Sequence, residues 1–107
     1  MPYRVYILLC SDGSYYTGSA ADVEDRLLEH QEGVEPTSYT YARRPVKLLW
    51  VSEEVQRYSD VLRFERQIKG WSRRKKEALI RNDFQAIHEI VKDEWEKKER
   101  AKKDCSR

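Results

Sequence analysis

At 107 residues, 39% hydrophobic and 37% charged, the chain has material for one compact domain with a single core and no second folded domain. No apolar run approaches the roughly 20 residues of a membrane span, and the N-terminus lacks the charged-then-apolar order of a signal peptide, so a membrane protein is excluded and the cytoplasm is the expected location. The formal net charge is only +2, but residues 1–35 carry two basic side chains against seven acidic ones and residues 36–83 carry twelve against six, so the second stretch is suited to face a polyanion.

Val5-Tyr6-Ile7 and Tyr15-Tyr16-Thr17-Gly18 are apolar-aromatic runs joined by Ser11-Asp12-Gly13-Ser14, and they predict a β-hairpin. The phenols of Tyr6 and Tyr16, ten positions apart, are thereby aimed into one region. Cys10 falls at a strand end and Cys105 in a charged tail; their spacing fits neither a disulfide framework nor a metal site, so both read as plain thiols. Asp22 is placed to cap a helix over 23–32, with Glu24 and Asp25 at the favourable end of its dipole and Gly33 at its stop. Arg26 and His30, four apart, share a face at the edge of the Val23, Leu27, Leu28 stripe and should emerge at the rim of the core. There an Arg can fork onto a phosphate and a His can move a proton near neutral pH; equally, Arg26 can bridge to Glu29 or Asp22 and His30 can fill a packing gap.

Residues 36–45 form a loop in which Tyr39 and Tyr41 offer a stacking platform and Arg43 and Arg44 offer phosphate contacts. A third strand follows over 46–51. Ser59 or Asp60 opens a second helix to Gly70, with Val61, Phe64, Ile68 and Trp71 as its apolar stripe. Glu65 lies on the shoulder of that stripe, where a carboxylate needs a cation or donors to offset its desolvation. It reads either as an ion-pair partner of Arg63, Lys69 or a neighbouring helix or as a ligand of Mg²⁺, which commonly takes one or two protein carboxylates and fills its shell with water and phosphate. Ser72 opens a third helix with Arg73, Arg74, Lys75 and Lys76 in its first turn, the end where the dipole disfavours cations unless an anion is the guest; the alternative is a solvated face. Asn82 or Asp83 opens a fourth helix, and past residue 97 the segment has almost nothing to bury and is expected to fray or be disordered. The order predicts an α+β domain, a three-stranded antiparallel sheet flanked by helices as β-β-α-β-α-α with an added C-terminal helix.

Val5-Tyr6, Tyr16-Thr17-Gly18, Arg26 and His30 in the segment 22–30, and Glu65 in Phe64-Glu65-Arg66-Gln67-Ile68-Lys69, with Tyr41-Ala42-Arg43-Arg44-Pro45-Val46-Lys47-Leu48 between them, strongly resemble the GIY-YIG nuclease domain over about residues 3–80. The most similar are the small single-domain bacterial members, themselves similar to the catalytic domain of the eukaryotic structure-specific nuclease subunit. The expected organisation is a nuclease-like domain over 1–81, a C-terminal helix over 82–97 packing on or extending from it, and a charged tail over 98–107. The resemblance implies that Tyr6 and Tyr16 line the site and one helps activate water, that Arg26 stabilises the transition state, that Glu65 holds a single Mg²⁺ or Mn²⁺, and that His30 stands where the structure-specific relatives carry histidine. Arg4 replaces the first motif's glycine and is expected to crowd a strand end; Thr17 replaces the second motif's isoleucine, and Ser19-Ala20-Ala21 a more polar stretch.

The implied activity is metal-dependent hydrolysis of DNA phosphodiesters, structure-selective and serving repair or recombination; the alternative is a non-catalytic or partner-dependent nucleic-acid-binding module. A phenol with a free pKa near 10 is a poor base at neutral pH, so Tyr6 or Tyr16 needs a nearby cation or a relay through His30 to lower it. Branched, nicked or duplex DNA is the expected partner, with Lys69 joining the cations of the loop and third helix at the contact surface. A monomer is the default, with room for a protein partner that supplies specificity.

Overall fold

In the computed structural model, residues 2–105 are described, with side chains through residue 97. β1 (Arg4–Leu9) and β2 (Tyr15–Ala20) form the predicted hairpin. Its turn is closed by Asp12, whose Oδ1 accepts from the backbone N–H and the hydroxyl of Ser14, and by Gly13 at φ +84°. β3 (Lys47–Val51) pairs antiparallel with the other edge of β1, giving the order β2-β1-β3. The α+β class and the three-stranded antiparallel sheet are as predicted.

Strand alternation sends Tyr6, Leu8 and Cys10 to one face of the sheet and Val5 and Ile7 to the other. α1 (Val23–Glu32) covers the first face with Val23 and Leu27, joined there by Leu48 and Val51. Leu48 and Val51 are three apart yet share this face because the β1–β3 register shifts between Ile7 and Leu8. α1 begins and ends as its sequence dictates: Asp22 accepts from the Asp25 N–H, and Gly33 takes the left-handed conformation at φ +69° while its N–H caps the Glu29 carbonyl. Gln31, in the last turn, holds both backbone groups of Val46, its Nε2 donating to the carbonyl and its Oε1 accepting from the N–H at 3.0 Å. A single 3₁₀ turn at Tyr41–Arg43 interrupts the intervening loop.

α2 (Tyr58–Lys69) lies against the second face. It buries Val61 and Ile68, and Phe64 meets Trp50 edge-on at 6.4 Å. Arg4 does not crowd its strand end: its guanidinium extends to the Ser52 carbonyl at 2.9 Å and to Glu54 at 3.2 Å, outside the packed sheet.

The chain divides into two compact units, Met1–Gly70 and Trp71–Arg107. The second holds Trp71, which the sequence pattern placed on the α2 stripe, and the helices α3 (Arg73–Ile80) and α4 (Phe84–Cys105), packed on each other. Ser72 caps α3 by accepting from the Lys75 N–H, and Asp83 accepts from the Ala86 N–H at the start of α4. The helical backbone of α4 continues through 98–105, expected to fray or be disordered; the side chains of that stretch and residues 106–107 lie outside the description. Among the described residues no helix is long and apolar enough to cross a membrane.

Candidate active site

The two motif tyrosines meet because of a glycine. Tyr6 on the central strand is paired across the hairpin with Gly18. A Cβ at Gly18 would stand 2.6 Å from the Tyr6 oxygen, 2.7 Å from its Cζ and 3.1 Å from Cε1 of Tyr16. Only a residue without a side chain leaves room for both rings on this face, and their centroids lie 6.4 Å apart.

Tyr6 is 2% exposed, and its oxygen lies 3.0 Å from Nε2 of the buried His30. His30 Nδ1 in turn lies 2.8 Å from Oγ1 of Thr40, which is 3.1 Å from Oγ of Ser38. Tyr16 sets its ring edge-on to His30 at 5.2 Å and stacks on Tyr39 at 6.0 Å. His30 thus fills a packing gap and also contacts the tyrosine it was expected to assist.

Burial and the neighbouring Tyr16 push the Tyr6 phenol well above the usual range, and Arg26 offsets this only in part. The expected lowering of a phenol by a nearby cation is therefore not met at Tyr6: desolvation outweighs the guanidinium. Burial, then the charge of Arg26, hold His30 below its ordinary value. At neutral pH the pair is a neutral phenol against a neutral imidazole.

A cleft of about 310 Å³ opens beside this pair, lined by Tyr16, Arg26, His30, Ser38, Thr40 and Tyr41 among others. Arg26 reaches it from α1, half exposed, with Nη1 3.4 Å from Glu29. That is the bridge read from the sequence, but a long exposed pair of this kind contributes little and leaves the guanidinium available to an anion.

Glu65 approaches from the opposite face. Ser19, next to Gly18 and so pointing the other way, donates to Glu65 Oε1 at 2.8 Å, and Lys69 pairs with Oε2 at 3.0 Å. The ion pair with Lys69 foreseen for this carboxylate is present, and the Glu65 side chain is 15% exposed. β2 is an edge strand, so a single strand separates the two faces here. The Glu65 charge contributes to raising the Tyr6 phenol, so the groups sense each other across that edge.

Among the described residues no cluster of three or more His, Cys, Asp or Glu could hold a metal. The donor set at Glu65 is one hard carboxylate, partnered by an exposed, flexible lysine and a hydroxyl. It fits a hard divalent ion that draws the rest of its shell from water and phosphate.

A family model for the GIY-YIG catalytic domain matches residues 2–78. The chain belongs to the GIY-YIG family. Among its relatives are UPF0213 proteins. One from Syntrophus aciditrophicus is 48% identical over 79 residues, covering 74% of this chain and 90% of the relative. Another from Halobacterium salinarum is 44% identical over 78 residues, covering 73% and 99%. The solution NMR structure of the protein EF2693 from E. faecalis is 33% identical, covers 77% of this chain and 85% of that one, and superposes with a TM-score of 0.53. GIY-YIG domains are nuclease domains that generally use divalent metals, and membership implies a nuclease acting on DNA.

The residues read as nucleic-acid contacts of this GIY-YIG protein are dispersed and partnered. Arg43 packs over the Tyr39 ring at 3.9 Å and pairs with Asp12 at 3.0 Å; Arg44 packs over Tyr41 at 4.5 Å. Tyr39 is stacked on Tyr16, so the expected platform is continuous with the second motif tyrosine. Arg73, Arg74, Lys75 and Lys76 stand in the second unit, where Arg73 pairs with Glu77 at 3.2 Å, Arg74 with Asp93 at 3.5 Å, and Lys75 lies 4.3 Å over Trp71. Sequence reasoning missed Ser38 and Thr40, a serine and a threonine in a loop with no periodicity to reveal which way a side chain points. It missed Ser19 as well, although strand alternation puts that residue on the α2 face.

Proposed function

We propose that the protein is a metal-dependent endonuclease that hydrolyses DNA phosphodiesters, selective for branched or otherwise structured DNA in repair or recombination. The observation that carries this reading is the Tyr6–His30 contact beside Arg26 on one cleft, with a single carboxylate, Glu65, across the edge strand. When bound at Glu65, Mg²⁺ or Mn²⁺ would supply positive charge to the phosphate and the leaving oxygen.

Arg26, half exposed at the cleft, can release Glu29 and fork onto two phosphate oxygens, stabilising charge that develops at phosphorus. His30 Nε2, 3.0 Å from the Tyr6 oxygen, is placed to take the phenol proton; burial opposes that transfer at both groups, so in this reading tyrosinate is formed only transiently as Tyr6 acts as base toward water. Tyr16 positions the His30 ring and, through Tyr39, links the cleft to the loop cations Arg43 and Arg44. Those cations, with Lys69 and the first turn of α3, are the proposed phosphate contacts.

The test is a Mg²⁺ or Mn²⁺ titration with labelled duplex, single-stranded, flap and four-way-junction DNA, run beside Glu65→Gln. Metal-dependent cleavage that falls at least about 10²-fold in the variant supports the proposal. Cleavage undiminished in Glu65→Gln and in Arg26→Ala sinks it. Binding without cleavage would assign the chain as a nucleic-acid-binding module.

A further inference from the structure

Thr40 is 1% exposed, and its hydroxyl faces the imidazole nitrogen that does not face Tyr6. A neutral imidazole carries one N–H, so whatever occupies one nitrogen decides whether the other donates or accepts. Although Thr40 borders the cleft, so little of it is exposed that its hydroxyl is the partner the geometry gives Nδ1. Thr40 is held in turn by Ser38, which is only partly buried and lines the cleft. Tyr6, His30, Thr40 and Ser38 therefore form one line of hydrogen bonds from the buried phenol to the cleft wall, and at the imidazole the two bonds are linked, because the nitrogen that carries the proton donates and the other accepts.

Two directions exist. Pointing inward, Thr40 donates to Nδ1 and Nε2–H donates to the phenol oxygen, which leaves the Tyr6 proton no acceptor among the described residues. Pointing outward, the Tyr6 O–H donates to Nε2, Nδ1–H donates to Thr40 Oγ1, and the Thr40 O–H donates to Ser38. A phenol is a better donor than acceptor, because its oxygen lone pair is delocalised into the ring, and an imidazole nitrogen accepts more strongly than a hydroxyl oxygen. The outward direction is the stronger set of bonds.

We propose that Thr40 is a positioning residue: its hydroxyl holds His30 as the Nδ1–H tautomer and so leaves the Nε2 lone pair on the Tyr6 phenol. In the step this permits, the Tyr6 O–H bond breaks as an Nε2–H bond forms. The products are tyrosinate and an imidazolium that keeps its Nδ1–H bond to Thr40. The catalytic consequence rests on the nuclease reading; the tautomer does not.

The test separates the two. His88→Gln, which removes the other histidine and lies on exposed α4 surface, leaves His30 as the only imidazole. Long-range ¹H–¹⁵N NMR then reports which nitrogen carries the proton, with Thr40→Val and Thr40→Ser introduced in the same background. The expected result is Nδ1–H in the parent and in Thr40→Ser, and a shift to Nε2–H in Thr40→Val, whose methyl group cannot accept a buried N–H. Nε2–H in the parent, or no change in Thr40→Val, overturns the proposal. Should Thr40→Val fail to fold, the parent and Thr40→Ser spectra decide it. In cleavage assays Thr40→Val is expected to lose about tenfold or more in kcat with KM unchanged, and Thr40→Ser to recover it. If the parent cuts no DNA, the nuclease reading falls while the NMR result still stands or falls by itself.

Discussion

Replacing Gly18 with alanine pits two effects of opposite sign against each other. Gly18 sits in an extended strand with no positive φ, so alanine there gains about 0.5–1 kcal/mol from reduced chain entropy. Its Cβ, however, would stand 2.6 Å from the Tyr6 oxygen and 2.7 Å from Cζ, against an ordinary contact of 3.4–4 Å. Tyr6 is the largest fully buried side chain among the described residues, so the clash carries the overpacking cost of about 1–3 kcal/mol. Moving the ring also breaks the 3.0 Å bond to His30, a further loss of about 1 kcal/mol. The net expectation is a destabilisation of about 1–3 kcal/mol, seen by circular dichroism as a Tm lower by roughly 5–20 °C. A melting temperature equal to or above that of the parent would refute the reasoning. In a Tyr6→Phe background, which removes the closest atom, Gly18→Ala should cost less, and the difference is the coupling between the two sites.

Thr17 carries a buried Oγ1 with no hydrogen-bond partner, so Thr17→Val, nearly the same shape, should raise stability in urea by about 1 kcal/mol; a loss would reveal a partner for the hydroxyl. The folded pKa of His30 lies below its unfolded value near 6.5, so the unfolded chain takes up the proton first. That stability is complete above about pH 6.5 and is lost as pH falls toward the folded value. Tm should therefore fall between pH 7 and pH 5, with a shallower fall in His30→Gln. Lys69→Ala frees Glu65 Oε2 from a half-exposed pair that contributes under about 1 kcal/mol, so Tm should barely move while Mn²⁺ binding by calorimetry tightens; weaker binding would contradict a carboxylate site. DNA affinity should fall steeply between about 50 and 200 mM salt; a flat response would count against a phosphate-contact surface.

What was legible in the sequence was whatever obeys a period or a fixed turn chemistry. Asp-Gly closes the hairpin, Asp22 and Gly33 bound α1 within a residue, and alternation puts Tyr6 and Tyr16 on one face. The spacing of Arg26 and His30 placed both at the cleft. Harder to read was anything set by long-range approach. Nothing local to Thr40 says that it contacts a histidine ten residues earlier, and projection around α2 could not say that Ser19 would meet Glu65. The sign of the Tyr6 shift was missed for a related reason: sequence shows which charges lie near, but burial, the larger cause, exists only once the strands pair.

The clamp of Gln31 on Val46 has a consequence for how this architecture can vary. Residues 34–45 depart from α1 at Gly33 and are sewn back to the same helical turn two residues earlier, so the segment is a closed cassette whose ends are fixed by α1, with a second tie to the hairpin turn where the Ser11 N–H donates to the Arg43 carbonyl at 2.8 Å. Such a cassette can be lengthened or exchanged at little entropic cost without moving β1 or β2. Because it carries Thr40, Ser38 and the aromatic-cation pairs together, an exchange would transplant the outer half of the proton line and the cleft wall as one unit, leaving Tyr6, His30 and Arg26 in place.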